Sequence, residues 1–214
     1  MTIDTTGLLP PQVGHVQKLV DSLYKNNFAV DMSETGTGKT YAAAAVIREL
    51  NRPFAVVCPK SVIHQWEGIL KTFKLKAVTI INYEKLVRGG TKWMKWKKKQ
   101  DPLKPWDDKA VNQIPEFNFK SDTLVIVDEG HKCKGAHSLN GNFMIACKNA
   151  GYRLLIMSAT AATNPLEMKA FGYATNLHNG ANFSKWCTTV GAEVGGRFGG
   201  LSIDLKSEKA KAGM

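Results

Sequence analysis

The sequence predicts an α/β fold in which a parallel sheet carries helices on both faces. Two observations predict it. Short apolar runs alternate with helical patterns along the 214 residues, and such alternation needs crossover connections that bury a parallel sheet between helices. The first run also leads through a glycine-rich turn into an alanine-rich helix, while the fourth closes on a pair of acids. Those are the places where an open α/β sheet puts its chemistry.

Each element has its reason. Residues 13–24 space their apolar side chains as a helix does. Residues 28–32 read as a buried strand, and Lys39–Leu50 as the alanine-rich helix after it. Phe54–Cys58 is a second strand, 61–73 a helix and 77–81 a third strand. Residues 123–128 are apolar without alternation until Asp128, the pattern of a parallel strand covered on both faces. Residues 140–149 form a helix, 153–158 a last strand and 166–176 a last helix, with Thr163 or Asn164 as its cap and Pro165 in its first turn. Residues 1–176 thus read as one domain. Within it, 89–121 break the alternation, carry Pro102, Pro105 and Pro115, and read as an insertion. In 177–214 a glycine-rich stretch, 194–200, precedes a charged end, and both read as flexible or weakly structured.

Composition narrows the function classes. The formal charge of +11, from 29 basic and 18 acidic residues, favours a polyanionic partner, nucleic acid before a membrane surface. The excess gathers between Arg88 and Lys104, where seven basic residues face one acid, Asp101. In that run Lys95, Lys97, Lys98 and Lys99 are candidate nucleic-acid contacts. Trp93 and Trp96 stand three apart and would share a helix face, either stacking on a base or packing on the core. No apolar run nears the roughly 18 residues that span a bilayer. The N-terminus has no signal-peptide pattern, so a cytoplasmic protein is expected. Cys58, Cys133, Cys147 and Cys187 are too scattered for a zinc or redox motif and read as reduced thiols.

The turn after the first strand carries the most chemistry. Thr35, Gly36, Thr37, Gly38, Lys39 and Thr40 form a loop between strand and helix that can wrap phosphates. Gly36 and Gly38 let the backbone curl so that its N–H groups point inward, and the helix N-terminus adds partial positive charge. Lys39 can reach the outer phosphates of ATP, and the Thr40 hydroxyl can hold Mg²⁺. Where the consensus opens with Gly, this chain has Ser33.

Asp128 and Glu129 close a buried strand expected to neighbour that of the loop. Asp128 is a candidate Mg²⁺ ligand through water, and Glu129 a candidate base for an attacking water. A kinase of the same fold would exclude water and lack such a Glu. His131, Cys133 and His137 offer no second Cys/His pair for zinc. Ser158, Ala159 and Thr160 end the last strand. Their hydroxyls can bond a neighbouring acid or histidine, or can simply belong to a strand-to-helix turn.

The order Gly-Thr-Gly-Lys-Thr, Asp-Glu-Gly-His, Ser-Ala-Thr resembles the N-terminal RecA-like lobe of a superfamily-two helicase or translocase. Further matches point to the Swi/Snf-like branch. The segment from Val56 through Pro59, Lys60, Ser61 and Gln65 to Trp66 resembles its motif Ia, and Asn82-Tyr83-Glu84 its segment before the acids. Leu8 to Gln12 resembles the signature ahead of the nucleotide loop. Residues 164–171 and 182–186 match segments that this branch carries after the third motif. The likeness covers roughly residues 8–187, and the Phe-x-x-Trp-Cys ending resembles phage-encoded members.

The resemblance implies that Gln12 reads adenine, that His131, Ser158, Ala159 and Thr160 couple hydrolysis to movement, and that Lys60, Ser61, Gln65 and Asn82 lie along DNA, duplex or single-stranded. It also implies a second RecA-like lobe with arginine fingers. Nothing after Ser184 reads as a second strand–helix series. One lobe and the opening of the inter-lobe connection are therefore expected, with a separate second lobe as a candidate partner and little motor activity alone. The alternative is a nucleic-acid-binding or regulatory module that keeps a nucleotide site without useful turnover. Leu9 and Pro11 replace the usual Arg and Tyr, Gly130 replaces an Ala that the turn can do without, and Ser-Ala-Thr replaces Thr-Gly/Ala-Thr-Pro.

Overall fold

A computed structural model describes residues 3–89, 91–98, 113–134, 138–160, 162–195 and 200–202. Its elements are α1 (Pro10–Asn26), β1 (Phe28–Asp31), α2 (Lys39–Leu50), β2 (Phe54–Cys58), α3 (Ile63–Thr72), β3 (Thr79–Asn82), α4 (Tyr83–Arg88), β4 (Met94–Lys98), β5 (Gln113–Phe117), β6 (Leu124–Asp128), α5 (Leu139–Asn149), β7 (Arg153–Met157), α6 (Lys169–Ala174), α7 (Phe183–Thr189), β8 (Glu193–Gly195) and β9 (Gly200–Ser202). Short 3₁₀ turns precede α3 (Lys60–Val62), α5 (Gly130–Cys133) and α6 (Pro165–Met168).

Strands β1, β7, β6, β2 and β3 lie in that order in one sheet, all parallel. Alternate strand residues face opposite sides. Ala29, Val56, Ile126 and Leu155 join the core beneath α1, α2 and α3, while Val57, Val125, Val127 and Ile156 join a second core with Phe143, Met144 and Phe171 of α5 and α6. Both faces are covered, which is why the strands read as continuous apolar runs. The parallel α/β sheet matches the expected RecA-like class. No helix among the described residues is long and apolar enough to cross a membrane.

Three expectations are corrected. Residues 94–98 are a strand, not a helix: β4 pairs antiparallel with β5 in a separate hairpin. Alternation then buries Met94 and half-buries Trp96 against the second core while Lys95 and Lys97 face outward. Trp96 Nε1 donates to Leu86 O at 2.8 Å, and Trp93 stacks on Phe119 with 6.1 Å between ring centroids, so both tryptophans are used internally. The side chain of Lys98, and Lys99, His137, Pro102, Pro105 and Lys104 entirely, lie outside the described residues. Second, β7 stands between β1 and β6, so the loop and the acids are not on adjacent strands. Third, part of the glycine-rich stretch is ordered as the hairpin β8–β9, with Val194 opposite Leu201. Glycine allows extended pairing as readily as it allows coil.

Candidate functional site

The sheet's register brings the motifs to one edge. Met157 pairs with both Asp31 and Asp128, and Cys58 pairs with Asn82. Five strands therefore end near one level, and the glycine loop, Lys60, Ser61, Asn82, Asp128, Glu129 and Ser158 to Thr160 lie at their ends or in the turns that leave them. In the loop after β1, Gly36 and Gly38 adopt φ of 83° and 84°, a left-handed conformation that bulkier residues resist. Gly38 is also hemmed in, since a Cβ there would lie 2.5 Å from Gln12 Nε2. Lys39 Nζ bends over the loop to the carbonyls of Ser33 at 2.7 Å and Glu34 at 2.8 Å. Thr37 Oγ1 donates to Glu34 O, and Thr35 is exposed beside it. Thr40 is half-buried in the first turn of α2.

Gln12 ties α1 to this loop. Its Oε1 accepts from Leu9 N at 2.9 Å, and its Nε2 donates to Thr37 O at 3.1 Å. The first bond caps α1, which begins at Pro10 rather than Val13 because Pro suits the first helical position. One Nε2 proton and one Oε1 lone pair remain for a ligand.

Asp128 is nearly buried, and Trp66 Nε1 donates to its Oδ2 at 2.8 Å. Burial pushes the Asp128 carboxyl above the usual range and Glu129 adds to this, against the Trp66 bond and the Lys39 charge. Tyr83 Oη donates to Asp128 O at 2.6 Å. Glu129 takes a left-handed φ of 56°, strained for a non-glycine residue, which turns its side chain toward His131 Nδ1 at 3.1 Å. Ser158 Oγ donates to Thr160 O and accepts from His131 N at 3.3 Å, with His131 Nδ1 also 3.3 Å away. Ala159 lies half-buried between them. The capping reading holds as well: Asn164 Oδ1 accepts from Leu166 N and Glu167 N.

Four other candidates sit at the same edge. Lys60 and Ser61 are exposed in the turn after β2, and Gln65 is exposed on α3. Asn82 is half-buried, and its Oδ1 caps α4 by accepting from Lys85 N at 2.8 Å. On the hairpin, Lys97 pairs with Glu116 at 2.6 Å. A groove of about 280 Å³ beside Lys92 and Lys95 includes Glu116. Sequence reasoning missed His15, Asp31, Trp66 and Tyr83 as parts of the site. Asp31 is 1% exposed and accepts from Ser33 N at 3.0 Å and Ser33 Oγ at 2.5 Å, with His15 Nε2 at 3.1 Å. The signal was an acid in a buried strand, which must find partners.

A family model described as the type III restriction enzyme, res subunit, matches residues 6–163. The chain belongs to this family, as an N-terminal RecA-like lobe of a superfamily-two helicase, Swi/Snf-like. The lobe is 32% identical over 192 residues to L364 of Acanthamoeba polyphaga mimivirus, described as an ATP-dependent RNA helicase, covering 86% of this chain and 36% of that protein. It is 25% identical over 194 residues to snf21, a chromatin structure-remodeling complex subunit of Schizosaccharomyces pombe, covering 82% of this chain and 16% of the relative. Its fold is similar to the Sulfolobus solfataricus SWI2/SNF2 ATPase core in complex with dsDNA, with a TM-score of 0.61, 17% identity, and coverage of 88% of this chain and 39% of that one. The lobe thus spans about a third or less of the curated relatives.

Proposed function

We propose that this lobe binds ATP with Mg²⁺, contacts DNA and belongs to a DNA-dependent ATPase whose turnover is slow in this chain alone. The observation that carries the reading is the alignment of the glycine loop, Asp128–Glu129 and Ser158 along one sheet edge. Backbone N–H groups from Thr35 to Lys39 would cradle the phosphates, and Lys39 would exchange the carbonyls of Ser33 and Glu34 for phosphate oxygens. Gln12 presents its remaining donor and acceptor to the adenine edge. The Thr40 hydroxyl and the Asp128 carboxylate fit Mg²⁺, which is held by one or two protein oxygens together with phosphates rather than by a protein cage. Among the described residues no three His, Cys, Asp or Glu form such a cage. When bound, Mg²⁺ neutralises the phosphate charge.

Glu129 holds the water and takes its proton. Its His131 contact links that proton site to Ser158 and Thr160, so a change at the terminal phosphate reaches the end of β7. Lys60, Ser61, Gln65 and Asn82 offer contacts to the DNA backbone at the neighbouring strand ends, and Lys95 and Lys97, with Lys98 and Lys99 beyond the described side chains, add charge from the hairpin. Base stacking on Trp93 or Trp96 is no longer part of the reading, since both rings are occupied. A second lobe would supply the arginine fingers, which contribute about 10³–10⁵ in rate in other nucleotide hydrolases.

Calorimetry of ATP–Mg²⁺ with the parent and Lys39→Ala tests the site, and unchanged affinity in the variant overturns it. ATPase measured with duplex DNA, single-stranded DNA and RNA tests the partner. Slow, DNA-stimulated turnover that Glu129→Gln abolishes, with nucleotide binding retained, is expected. Binding of both ligands with no turnover under any condition would instead support a nucleic-acid-binding module.

A further inference from the structure

Two side chains reach the Asp128–Glu129 turn from the elements that carry the proposed DNA contacts. Trp66 is next to Gln65 on α3, and Tyr83 is next to Asn82 at the start of α4. Trp66 is fully buried, and its indole N–H, which needs a partner there, donates to Asp128 Oδ2 at 2.8 Å. Tyr83 is 3% exposed, and its hydroxyl donates to Asp128 O at 2.6 Å, with Glu129 O at 3.4 Å. No strand intervenes in these links: α3 and α4 reach the turn by side chains alone.

We infer that Trp66 and Tyr83 are positioning residues that couple nucleic-acid contact at the α3 and α4 N-termini to the Asp128–Glu129 turn. The inference rests on the proposed function. Phosphates gripped at Lys60, Ser61 and Gln65 bear on the first turns of α3, and contact at Asn82 bears on the cap of α4. Both helices then bear on one carboxylate and one strained residue, Glu129, through short bonds in a packed interior that does not deform continuously. Asp128 and Glu129 hold different positions when α3 and α4 are gripped and when they are not. Nucleotide affinity and DNA affinity must then depend on each other by the same factor.

The test measures the dissociation constant of a duplex oligonucleotide with and without a saturating non-hydrolysable ATP analogue and Mg²⁺. It uses the parent, Trp66→Phe, Tyr83→Phe and the double variant. Tyr83→Phe keeps the ring and removes one donor, while Trp66→Phe replaces the buried indole with a smaller ring and removes the other. The parent is expected to show a coupling factor of about 5- to 150-fold. Each single variant should lower it and the double variant should bring it to about 1, whatever the lost donor does to the affinity for either ligand alone. A merely structural role would weaken folding without moving the ratio. Should Trp66→Phe fail to fold, Tyr83→Phe decides the matter. A double variant with the parent's factor overturns the inference, as does a parent that binds both ligands without mutual effect. A parent that binds neither overturns the proposed function, and the coupling with it.

Discussion

Gly130→Ala restores the residue common in related turns, and we predict that it destabilises this protein. A Cβ at Gly130 would lie 2.6 Å from Ile156 Cγ2 and 3.7 Å from Met157 O. Carbon atoms prefer roughly 3.5–4.0 Å, so the contact falls short by about 1 Å. The methyl cannot retreat cheaply. It sits on a β-branched side chain, fully buried, in a strand paired on both sides. The turn or β7 must shift instead, at a cost of about 1–3 kcal/mol. For a chain of this size that is a fall of about 2–12 °C in Tm. Ile156→Ala alone should cost about 2–5 kcal/mol through the cavity it leaves. The double variant should be more stable than the sum of the singles by about 0.5–3 kcal/mol, because the new Cβ enters the vacated space. Urea and thermal unfolding of the four proteins measure this cycle. A Gly130→Ala protein within about 0.5 kcal/mol of the parent, or strict additivity, refutes the steric argument.

The same structure sets other outcomes. Burial pushes the Cys58 and Cys133 thiols up to about 12 and Cys187 up to about 11. The unfolded chain ionises near pH 9 while the folded one does not, so stability is full below pH 9 and falls as pH rises above it, by up to about 1.4 kcal/mol per unit for each thiol. Urea midpoints that stay flat between pH 8 and 10.5 contradict this. For the same reason a thiol reagent at pH 8 should label none of the four buried cysteines until denaturant is added. Burial raises the Asp31 pKa, but the Ser33 bonds and His15 outweigh it and hold it below the ordinary value. Its contribution is therefore present above about pH 4 and lost below it. Asp31→Asn should cost about 1–3 kcal/mol and flatten the acid limb of the stability curve, and an unchanged limb removes Asp31 from the account. Finally, Lys95→Ala with Lys97→Ala should lower the salt slope of DNA binding by at most about 2, since each phosphate neutralised adds about 0.9. The parent slope in that variant returns the hairpin to plain surface.

Local signals made much of this legible. The alanine-rich run gave α2 its observed limits, Lys39–Leu50, because αL residues Gly38 and Asn51 stop it at both ends. The five parallel strands were readable because burial on both faces leaves an apolar run that nothing else explains. Helix α4 was not, since its six residues owe their start to one Asn82 cap. The hairpin was misread because two tryptophans three apart suit a helix, while the pairing that decides otherwise comes from residues 113–117, beyond any local window. The clustering of the motifs at one edge was implied by their places at strand ends. Trp66 and Tyr83 were visible only as parts of a resemblance, because a hydrogen bond between residues 62 apart in sequence leaves no trace in spacing. The intervening β7 was hidden for the same reason: sheet order is set by crossovers, not by neighbours in sequence.

That order fixes when the loop can form. Among the described residues strand β1 has a single partner in the sheet, β7, with Phe28 opposite Leu154 and Asp31 opposite Met157. A chain emerging from a ribosome can pair β2 with β3 early, since α3 alone separates them. The first strand made must wait until the last strand of the sheet has appeared, and closing so long a loop slows the step. Until then Asp31 has no wall behind it, and Lys39 has no settled ring of carbonyls to rest on. A nascent chain stalled before Met157 should therefore hold a partial sheet and no nucleotide loop, with the Ala29 and Val30 edge open to other strands.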